Sequence, residues 1–271
     1  MKLNKKVNEL YKKLKTGVEE FYSSDRWKEF LTVQARFHRY SFRNTLLIYM
    51  QCPHATQVAG FEDWKKLGRH VKLGETSIKI LGPNHRREID EKTKEEKKVL
   101  TGFHQASVFD ISQTGGKELP SLSYELTKDT PTLRRFYEIA KSISPAPIQE
   151  VTLKGNMKGS YNYTTQTISI KKGMAALQKC KTIIHEIAHA MLHTETDKPR
   201  ELREVEAEGT AFVVLNYFGF DTSEYSFSYV AGWNGSLGAE HIGKAGEAIQ
   251  KAAVKLIDDL EVVLNEKESA A

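Results

Sequence analysis

The sequence has few cysteines, few prolines and no long apolar run. Its two cysteines, Cys52 and Cys180, are too few for a disulfide framework and are typical of a reducing cytoplasm. With 7 prolines and 18 glycines in 271 residues, the composition excludes fibrous and disordered classes. The first residues are basic but lead into mixed polar sequence without the apolar core of a signal peptide. We therefore expect a cytoplasmic protein with no membrane partner.

The length of the chain predicts two domains, since a typical domain holds roughly 100 to 200 residues. The stretch from Gln113 to Asp129 lacks periodicity and contains the turn formers Gly115 and Gly116, as linkers do. We place the boundary near residue 125, which gives domains of residues 1–125 and 126–271.

Charge is distributed unevenly between the two halves. Residues 1–120 contain 23 Lys and Arg against 15 Asp and Glu, a net +8, whereas residues 121–271 contain 17 against 20, a net −3. The two values add to the +5 of the whole chain. A basic surface favours a polyanionic partner such as nucleic acid, and we expect the first half to bind it.

Hydrophobic periodicity predicts helices at the start of the chain. Apolar residues recur at steps of three and four from Leu3 to Phe21, which is the pattern of a helix with one buried stripe. A second helix is expected from Trp27 to His38, and Ser41 can cap a third from Phe42 to Met50. All three are assigned to the first domain.

A β-hairpin is expected after these helices. Strand-forming residues occupy Ser77 to Leu81 and Val99 to Phe109, and Gly82-Pro83 breaks the first of these strands. The charged run from Asn84 to Lys98 is interpreted as an exposed loop at the hairpin tip.

The second half is expected to contain one strand, Tyr161 to Ile170, followed by three helices. These helices run from about Ala175 to His193, from Arg200 to Phe218 and from Ala239 to Asn265. The sequence thus predicts an α+β protein, in which a helical and β-hairpin domain precedes a domain with a short sheet and long helices.

A metal site is predicted on the first of those helices. His185 and His189 are four residues apart, so that on a helix they are offset by about 40° and about 6 Å and can reach one ion. Glu186 lies beside the first histidine, where its carboxylate can accept a proton from water at the metal. The pattern predicts a Zn²⁺ site, which needs a third protein ligand and an open position.

The third ligand is expected from the next helix. Glu204 and Glu208 share one face of it, so that Glu204 can bind the metal while Glu208 orients a ligand histidine. Glu206 points roughly the opposite way and is ranked lower. His193 would lie about 12 Å from His185 along the helix axis, too far for one ion, and is expected to cap the helix C-terminus instead.

Aromatic and basic residues alternate in the first domain, a mixture that suits single-stranded nucleic acid because bases stack on rings while cations contact phosphates. The alternative is that the rings are core residues and the cations lie on a solvated face. The candidates for DNA binding are Arg36, Arg39, Tyr40, Arg43, Trp64, Lys65, Lys66, Arg69 and Lys72.

Several segments resemble a known family. YSFRNTLLIY at Tyr40 to Tyr49, ATQVAGF at Ala55 to Phe61 and WKKLGR at Trp64 to Arg69 resemble the N-terminal domain of ArdC-type antirestriction proteins. HEIAHAMLH at His185 to His193, followed by REVEAE at Arg203 to Glu208, resembles the zinc-peptidase domain of that family and of the wider ImmA/IrrE group.

The resemblance implies a single-stranded DNA-binding domain followed by a gluzincin-like zinc metallopeptidase domain, in a protein of a mobile genetic element. A peptide or protein substrate is implied for the second domain. Two alternatives stay open: a regulatory zinc protease that cleaves a repressor, and a noncatalytic DNA-binding protein with a structural zinc. Three tyrosines are considered as oxyanion stabilisers: Tyr163, Tyr225 and Tyr229.

Overall fold

The computed structural model of the chain describes residues 5–19, 24–89, 96–119, 130–153, 155, 157–194, 198–220 and 238–269. The chain divides into two compact units. The first contains residues 1–20 and 40–120, and the second contains residues 21–39 and 121–271. Both mix helices and strands, which confirms the α+β class. The boundary expected near residue 125 lies outside the described residues.

None of the helices in the described ranges has an apolar stretch of the length that a bilayer crossing requires.

The first unit is built around a long β-hairpin. Its elements are α1 (Lys5–Glu19), α3 (Phe42–Gln51), β1 (Val58–Ala59), α4 (Phe61–Lys66), β2 (Arg69–Val71), β3 (Ile78–Ile89), β4 (Glu96–Asp110), a 3-10 turn (Ile111–Gln113) and β5 (Thr114–Gly116). Strands β1, β4 and β3 form one sheet in that order, and β2 pairs with β5 in another. Ser41 caps α3 as predicted, because its side chain accepts from the amide of Asn44 at 3.3 Å.

The hairpin is longer than the sequence suggested. Strand β3 continues through Gly82-Pro83, and pairing with β4 extends to Ile89 opposite Glu96, so most of the run expected to be a loop is strand. Proline is tolerated because β3 lies at the edge of the sheet. The peptide groups of Lys79 and Leu81 point to that outer edge. Pro83 comes two residues later, so the amide hydrogen that it lacks would also point to the outer edge and not to β4.

Helix α3 covers this edge with two amide side chains. Asn44 donates to the Leu81 carbonyl at 3.0 Å and accepts from the Leu81 amide at 2.8 Å. Gln51 does the same with Lys79, at 2.9 and 3.0 Å. The two side chains thus take the place of a neighbouring strand and satisfy peptide groups that would otherwise stay unpaired.

The segment proposed as a linker is also partly ordered as strand. Thr114 to Gly116 pair with Arg69 to Val71, and Gly116, with φ of 127°, has no room for a Cβ because the Gly68 carbonyl would lie 2.6 Å away. Turn-forming residues in this segment therefore allow close pairing of two short strands.

Within the described residues, the second unit combines four helices and three strands of the C-terminal part of the chain with one helix from the N-terminal part. Its elements are α2 (Ser24–Arg36), α5 (Thr130–Ser142), β6 (Ile148–Val151), β7 (Gly159–Asn162), β8 (Thr167–Lys171), α6 (Ala176–Leu192), α7 (Arg200–Tyr217) and α8 (Gly238–Ser269). The sheet order is β6, β8, β7, in which β6 is parallel and β7 antiparallel to β8. The single strand expected from Tyr161 to Ile170 is therefore two strands joined by a turn.

The position of helix α2 differs from the expected domain division. We expected α2 in the first domain, but it packs against α7 in the second unit. Trp27, Phe30 and Leu31 are fully buried, and Gln34 donates to the Gly246 carbonyl of α8 at 3.4 Å. Periodicity shows that a helix buries one face but does not tell which part of the chain covers it.

The pairing between α3 and β3 gives a stability prediction. Asn44→Ala should lower the free energy of unfolding by about 1 to 3 kcal/mol, because the Leu81 peptide group loses both partners in a partly buried place. Asn44→Asp should also destabilise, since a carboxylate cannot donate to the carbonyl. Urea unfolding of the full chain measures the change. In the control Gln149→Ala, which removes an exposed hydrogen bond to Ser169, the change should stay below about 0.5 kcal/mol. Unchanged stability of Asn44→Ala would refute the edge-covering role.

Candidate metal centre

Helix α6 carries both predicted histidines on its polar face. Its other face is apolar: Ile183, Ile184 and Ile187 are fully buried, which anchors the helix. His185 and His189 then lie one turn apart with their Nε2 atoms 3.1 Å from each other. The His185 side chain is 20% exposed and that of His189 7%, so His189 lies deeper than His185.

Helix α7 brings Glu204 to the same point. Its Oε2 lies 3.6 Å from Nε2 of His185 and 3.7 Å from Nε2 of His189. Tetrahedral zinc with bonds of about 2.0 to 2.1 Å would hold its ligand atoms about 3.3 Å apart. The distances among Oε2 of Glu204 and the Nε2 atoms of His185 and His189, which are 3.1, 3.6 and 3.7 Å, are close to this value. Among the described residues, His185, His189 and Glu204 form a group that can hold a metal ion.

The carboxylates around His185 favour a positive charge at this place. Burial opposes the charged imidazole, but hydrogen bonds to Glu204 and Glu208 outweigh it and raise the pKa of His185 to about 10. The neighbouring imidazoles of His185 and His189 hold the pKa of Glu204 well below its usual range. Glu208 lies 3.0 Å from Nδ1 of His185, where it can orient the ring. The site is therefore built for a cation, and a metal ion would take the place of the proton.

Glu186 lies beside the ligand group without belonging to it. Glu186 is 6% exposed, and burial raises the pKa of its carboxyl group to about 7. The carboxylate accepts a hydrogen bond from the backbone amide of Tyr161 in β7. A Cβ on Gly159 would lie 2.9 Å from Oε1 of Glu186 and 2.6 Å from Cγ2 of Thr182. Glycine at 159 thus allows the edge strand to approach α6 closely beside Glu186.

A second group of buried polar side chains adjoins His189. Nδ1 of His189 is 2.9 Å from Nδ1 of His193, and Nε2 of His193 is 2.8 Å from Oε2 of Glu206. Nζ of Lys198 donates to both oxygens of Glu206, at 3.1 and 2.9 Å. His193 is the C-cap residue of α6, as expected, and its amide donates to the His189 carbonyl at 2.9 Å. Its side-chain contact with Glu206, which was ranked low, was not predicted. The signal for it is the third histidine at the same four-residue spacing.

Tyr163 lies near the site, in the turn after β7. Burial raises the pKa of its hydroxyl, and the charges of Glu204 and Glu186 raise it further, while Arg203 lowers it. The guanidinium carbon of Arg203 is 5.0 Å from the centroid of the Tyr163 ring. The other two tyrosines considered, Tyr225 and Tyr229, lie outside the described residues.

Two of the predicted DNA-binding residues serve the fold of the first unit. Trp64 is 1% exposed, and its Nε1 donates to the Phe109 carbonyl at 2.9 Å, so its ring is a core residue and not a stacking surface. Arg69 donates from Nε to Oγ1 of Thr114 at 2.8 Å and also to the Lys117 carbonyl, which joins β2 to the chain around β5. Burial of Trp64 corrects its expected role as a stacking surface, whereas the DNA-binding role of Arg69 stays a prediction.

The remaining candidates of the first unit lie at its surface. Lys65, Lys66 and Lys72 are exposed; Lys66 pairs with Asp63 at 2.8 Å, and Lys72 donates to the Ser112 carbonyl at 2.9 Å.

Tyr40 and Arg43 flank the start of α3. Tyr40 is half-buried and donates to the Val58 carbonyl at 3.2 Å. Arg43 is exposed, with its guanidinium carbon 6.0 Å from the centroid of the Tyr11 ring.

Arg36 and Arg39 belong to the second unit, since Arg36 is the last residue of α2 and Arg39 follows shortly after it. Both are exposed, and Arg39 pairs with Asp258 at 3.5 Å and with Glu261 at 3.4 Å on α8. The expected DNA-binding set is therefore divided between the two units.

Both halves of the chain match known families. Residues 3–109 match the family described as the N-terminal domain of anti-restriction factor ArdC. Residues 148–232 match a peptidase family described as the IrrE N-terminal-like domain. The chain thus combines an ArdC-type N-terminal domain with an IrrE-like domain, as the sequence motifs suggested.

Similar proteins include a curated relative and two crystal structures. The uncharacterized protein pXO2-81 of Bacillus anthracis is 28% identical over 279 residues, which cover 85% of this chain and 47% of the relative. This chain therefore spans about half the length of that relative.

The two crystal structures are of the antirestriction protein ArdC from plasmid R388, and each has a TM-score of 0.52. The metal-free structure is 22% identical and the alignment covers 82% of this chain and 85% of that one. The Mn(II)-bound structure is 19% identical, with coverage of 85% and 97%. Similarity at this level of identity shows a shared fold.

The close approach of β7 to α6 gives the prediction for this site. Gly159→Ala should lower the free energy of unfolding by about 1 to 3 kcal/mol, because the added methyl overlaps Thr182 and Glu186. The matched control is Gly243→Ala on α8, where a Cβ meets no described heavy atom within 4 Å. Denaturant unfolding of both variants measures the difference. Equal stability of the two would mean that β7 does not approach Glu186 as described.

Proposed function

We propose that the second unit is a zinc-dependent endopeptidase and that the first unit binds single-stranded DNA, in a protein that counters restriction during the establishment of a mobile element. The observation that carries the peptidase assignment is the convergence of His185, His189 and Glu204, with Glu186 buried beside them and outside the ligand group. Two imidazoles and one carboxylate are a ligand set of catalytic zinc sites, which keep one position open.

The peptidase chemistry divides between the metal and the side chains. A zinc ion at this site supplies the Lewis acidity that activates water and polarises a peptide carbonyl. Glu186 accepts the proton of the attacking water and passes it to the leaving amine. A carboxyl pKa raised to about 7 by burial suits both roles, because the group can take up and release a proton near neutral pH.

The substrate is expected to lie along the edge strand β7. Among the described residues this strand is the outer strand of its sheet, so we expect an extended peptide to pair along its outer edge and pass beside Glu186. Tyr163 follows β7 directly and is influenced by the charges of Glu186 and Glu204. We propose its hydroxyl as the donor to the carbonyl oxygen during attack.

A purely structural zinc is less well supported. Structural sites are typically closed by four protein ligands, whereas three ligand side chains converge here among the described residues. A structural site also has no use for a buried carboxylate beside its ligands. Burial of an ionisable group is costly, so a buried carboxylate beside the ligand group favours a catalytic role.

The DNA-binding assignment rests on charge and on the family match. The first unit has 19 Lys and Arg against 13 Asp and Glu, a net +6. Residues 3–109 match the N-terminal domain of anti-restriction factor ArdC. Cations on this surface can follow phosphates with little sequence preference. Two buried thiols, Cys52 and Cys180, are compatible with action in the cytoplasm.

The metal assignment predicts about one zinc per chain. His185→Ala, His189→Ala and Glu204→Ala should each remove it, since two remaining ligands do not hold a stable site. Glu186→Gln is the matched control: it should keep the metal while peptidase turnover falls by about 10²- to 10⁴-fold, because an amide cannot act as a general base. Metal analysis and peptide cleavage measure the two effects. Full zinc retention in Glu204→Ala would exclude Glu204 as the third ligand.

The DNA assignment predicts weaker binding after charge reversal on the first unit. In the full chain, the double variant Lys65→Glu and Lys72→Glu should lower affinity for a labelled single strand by roughly tenfold and reduce its salt dependence. The full chain is needed because residues 1–119 alone would leave α2 without its partners. The control Lys172→Glu with Lys251→Glu reverses two exposed charges of the second unit and should bind like the parent. Equal loss in both doubles would contradict the assignment.

A further inference from the structure

We infer that Lys198, Glu206 and His193 form a hydrogen-bonded chain that positions His189 as a metal ligand. The inference rests on the proposed metal site and assigns a role to three residues outside the ligand group. His193 and Glu206 are each 1% exposed, so the arrangement between them is shielded from water and its geometry is restricted.

The positions of the hydrogens follow from the ligand role of His189. Nε2 of His189 faces the ligand group, so a neutral ligand imidazole carries its hydrogen on Nδ1. That hydrogen is donated across 2.9 Å to Nδ1 of His193. His193 then carries its own hydrogen on Nε2 and donates it across 2.8 Å to Glu206. Each ring nitrogen of His189 and His193 thus has a single function, as metal ligand, donor or acceptor. The series of hydrogen bonds ends at the carboxylate of Glu206, which is an acceptor.

Lys198 makes the buried carboxylate of Glu206 tolerable. The Glu206 side chain is 2% exposed, while that of Lys198 is 35% exposed, so the cation reaches inward from the surface. Lys198 donates to both carboxylate oxygens. Without this cation, the carboxylate would be buried with a single neutral donor from His193, which is unfavourable.

The two ligand histidines are thus supported by different carboxylates. His185 contacts Glu208 directly, with 3.0 Å between Nδ1 and Oε2. His189 lies further inside, and His193 stands between it and Glu206. A hydrogen bond to the far nitrogen of a ligand histidine fixes its tautomer and ring orientation, and its loss typically costs 10- to 100-fold in metal affinity, an approximate range. The imidazole of His193 therefore connects His189 to its supporting carboxylate, Glu206.

The test measures zinc affinity of the full-length protein by competition with a chromogenic chelator at fixed neutral pH. Glu206→Gln and His193→Leu should each weaken zinc binding by about 10- to 100-fold. His193→Gln should lie between His193→Leu and the parent, because its amide can still accept from His189 and donate to Glu206. The matched controls are Glu201→Gln, exposed on the same helix, and His241→Leu on α8. Both should bind zinc like the parent.

The outcomes separate positioning from simple space filling. If His193 only fills space, the apolar His193→Leu binds at least as well as His193→Gln and Glu206→Gln is unaffected, which overturns the inference. The visible spectrum of cobalt-substituted protein should shift in Glu206→Gln, and thermal unfolding without metal shows whether each variant is folded. A parent that binds no zinc would refute the proposed function and this inference together. A parent that binds tightly, with all variants within twofold of it, would refute this inference alone.

Discussion

The packing of α6 against α7 is the contact on which the proposed chemistry depends. One face of α6 is apolar and fully buried. Two histidines on its other face and His193 at its C-terminal end each lie next to a carboxylate of α7: His185 beside Glu204 and Glu208, His189 beside Glu204, and His193 beside Glu206. Buried polar groups are stable only when they are paired. The same contact therefore holds the two helices in one register and gathers the side chains that can hold a metal ion.

The edges of the two sheets are treated in opposite ways. In the first unit, Asn44 and Gln51 occupy the outer edge of β3, which prevents pairing with other chains. In the second unit, β7 is the outer strand beside Glu186, where pairing with an extended peptide is what the proposed function requires.

Short-range patterns predicted the parts of the site that one helix or two adjacent helices determine. The spacing of His185, Glu186 and His189 predicted a helix that brings both imidazoles to one point, and the four-residue step from Glu204 to Glu208 follows from helix geometry alone. Burial by distant segments could not be predicted in this way. Trp64 lies in the core because β4 supplies its acceptor, and α2 packs away from its sequence neighbours. The role of His193 was missed because its partner Glu206 is defined by the packing between helices.

The coordination of zinc in the full-length protein tests the central claim most directly. X-ray absorption spectroscopy of the zinc-loaded protein reports the ligand atoms and their distances without a substrate. The account predicts nitrogen and oxygen ligands at about 2.0 to 2.1 Å, the scattering signature of two imidazoles, and no sulfur. A sulfur shell at about 2.3 Å, or a spectrum without imidazole, would contradict it.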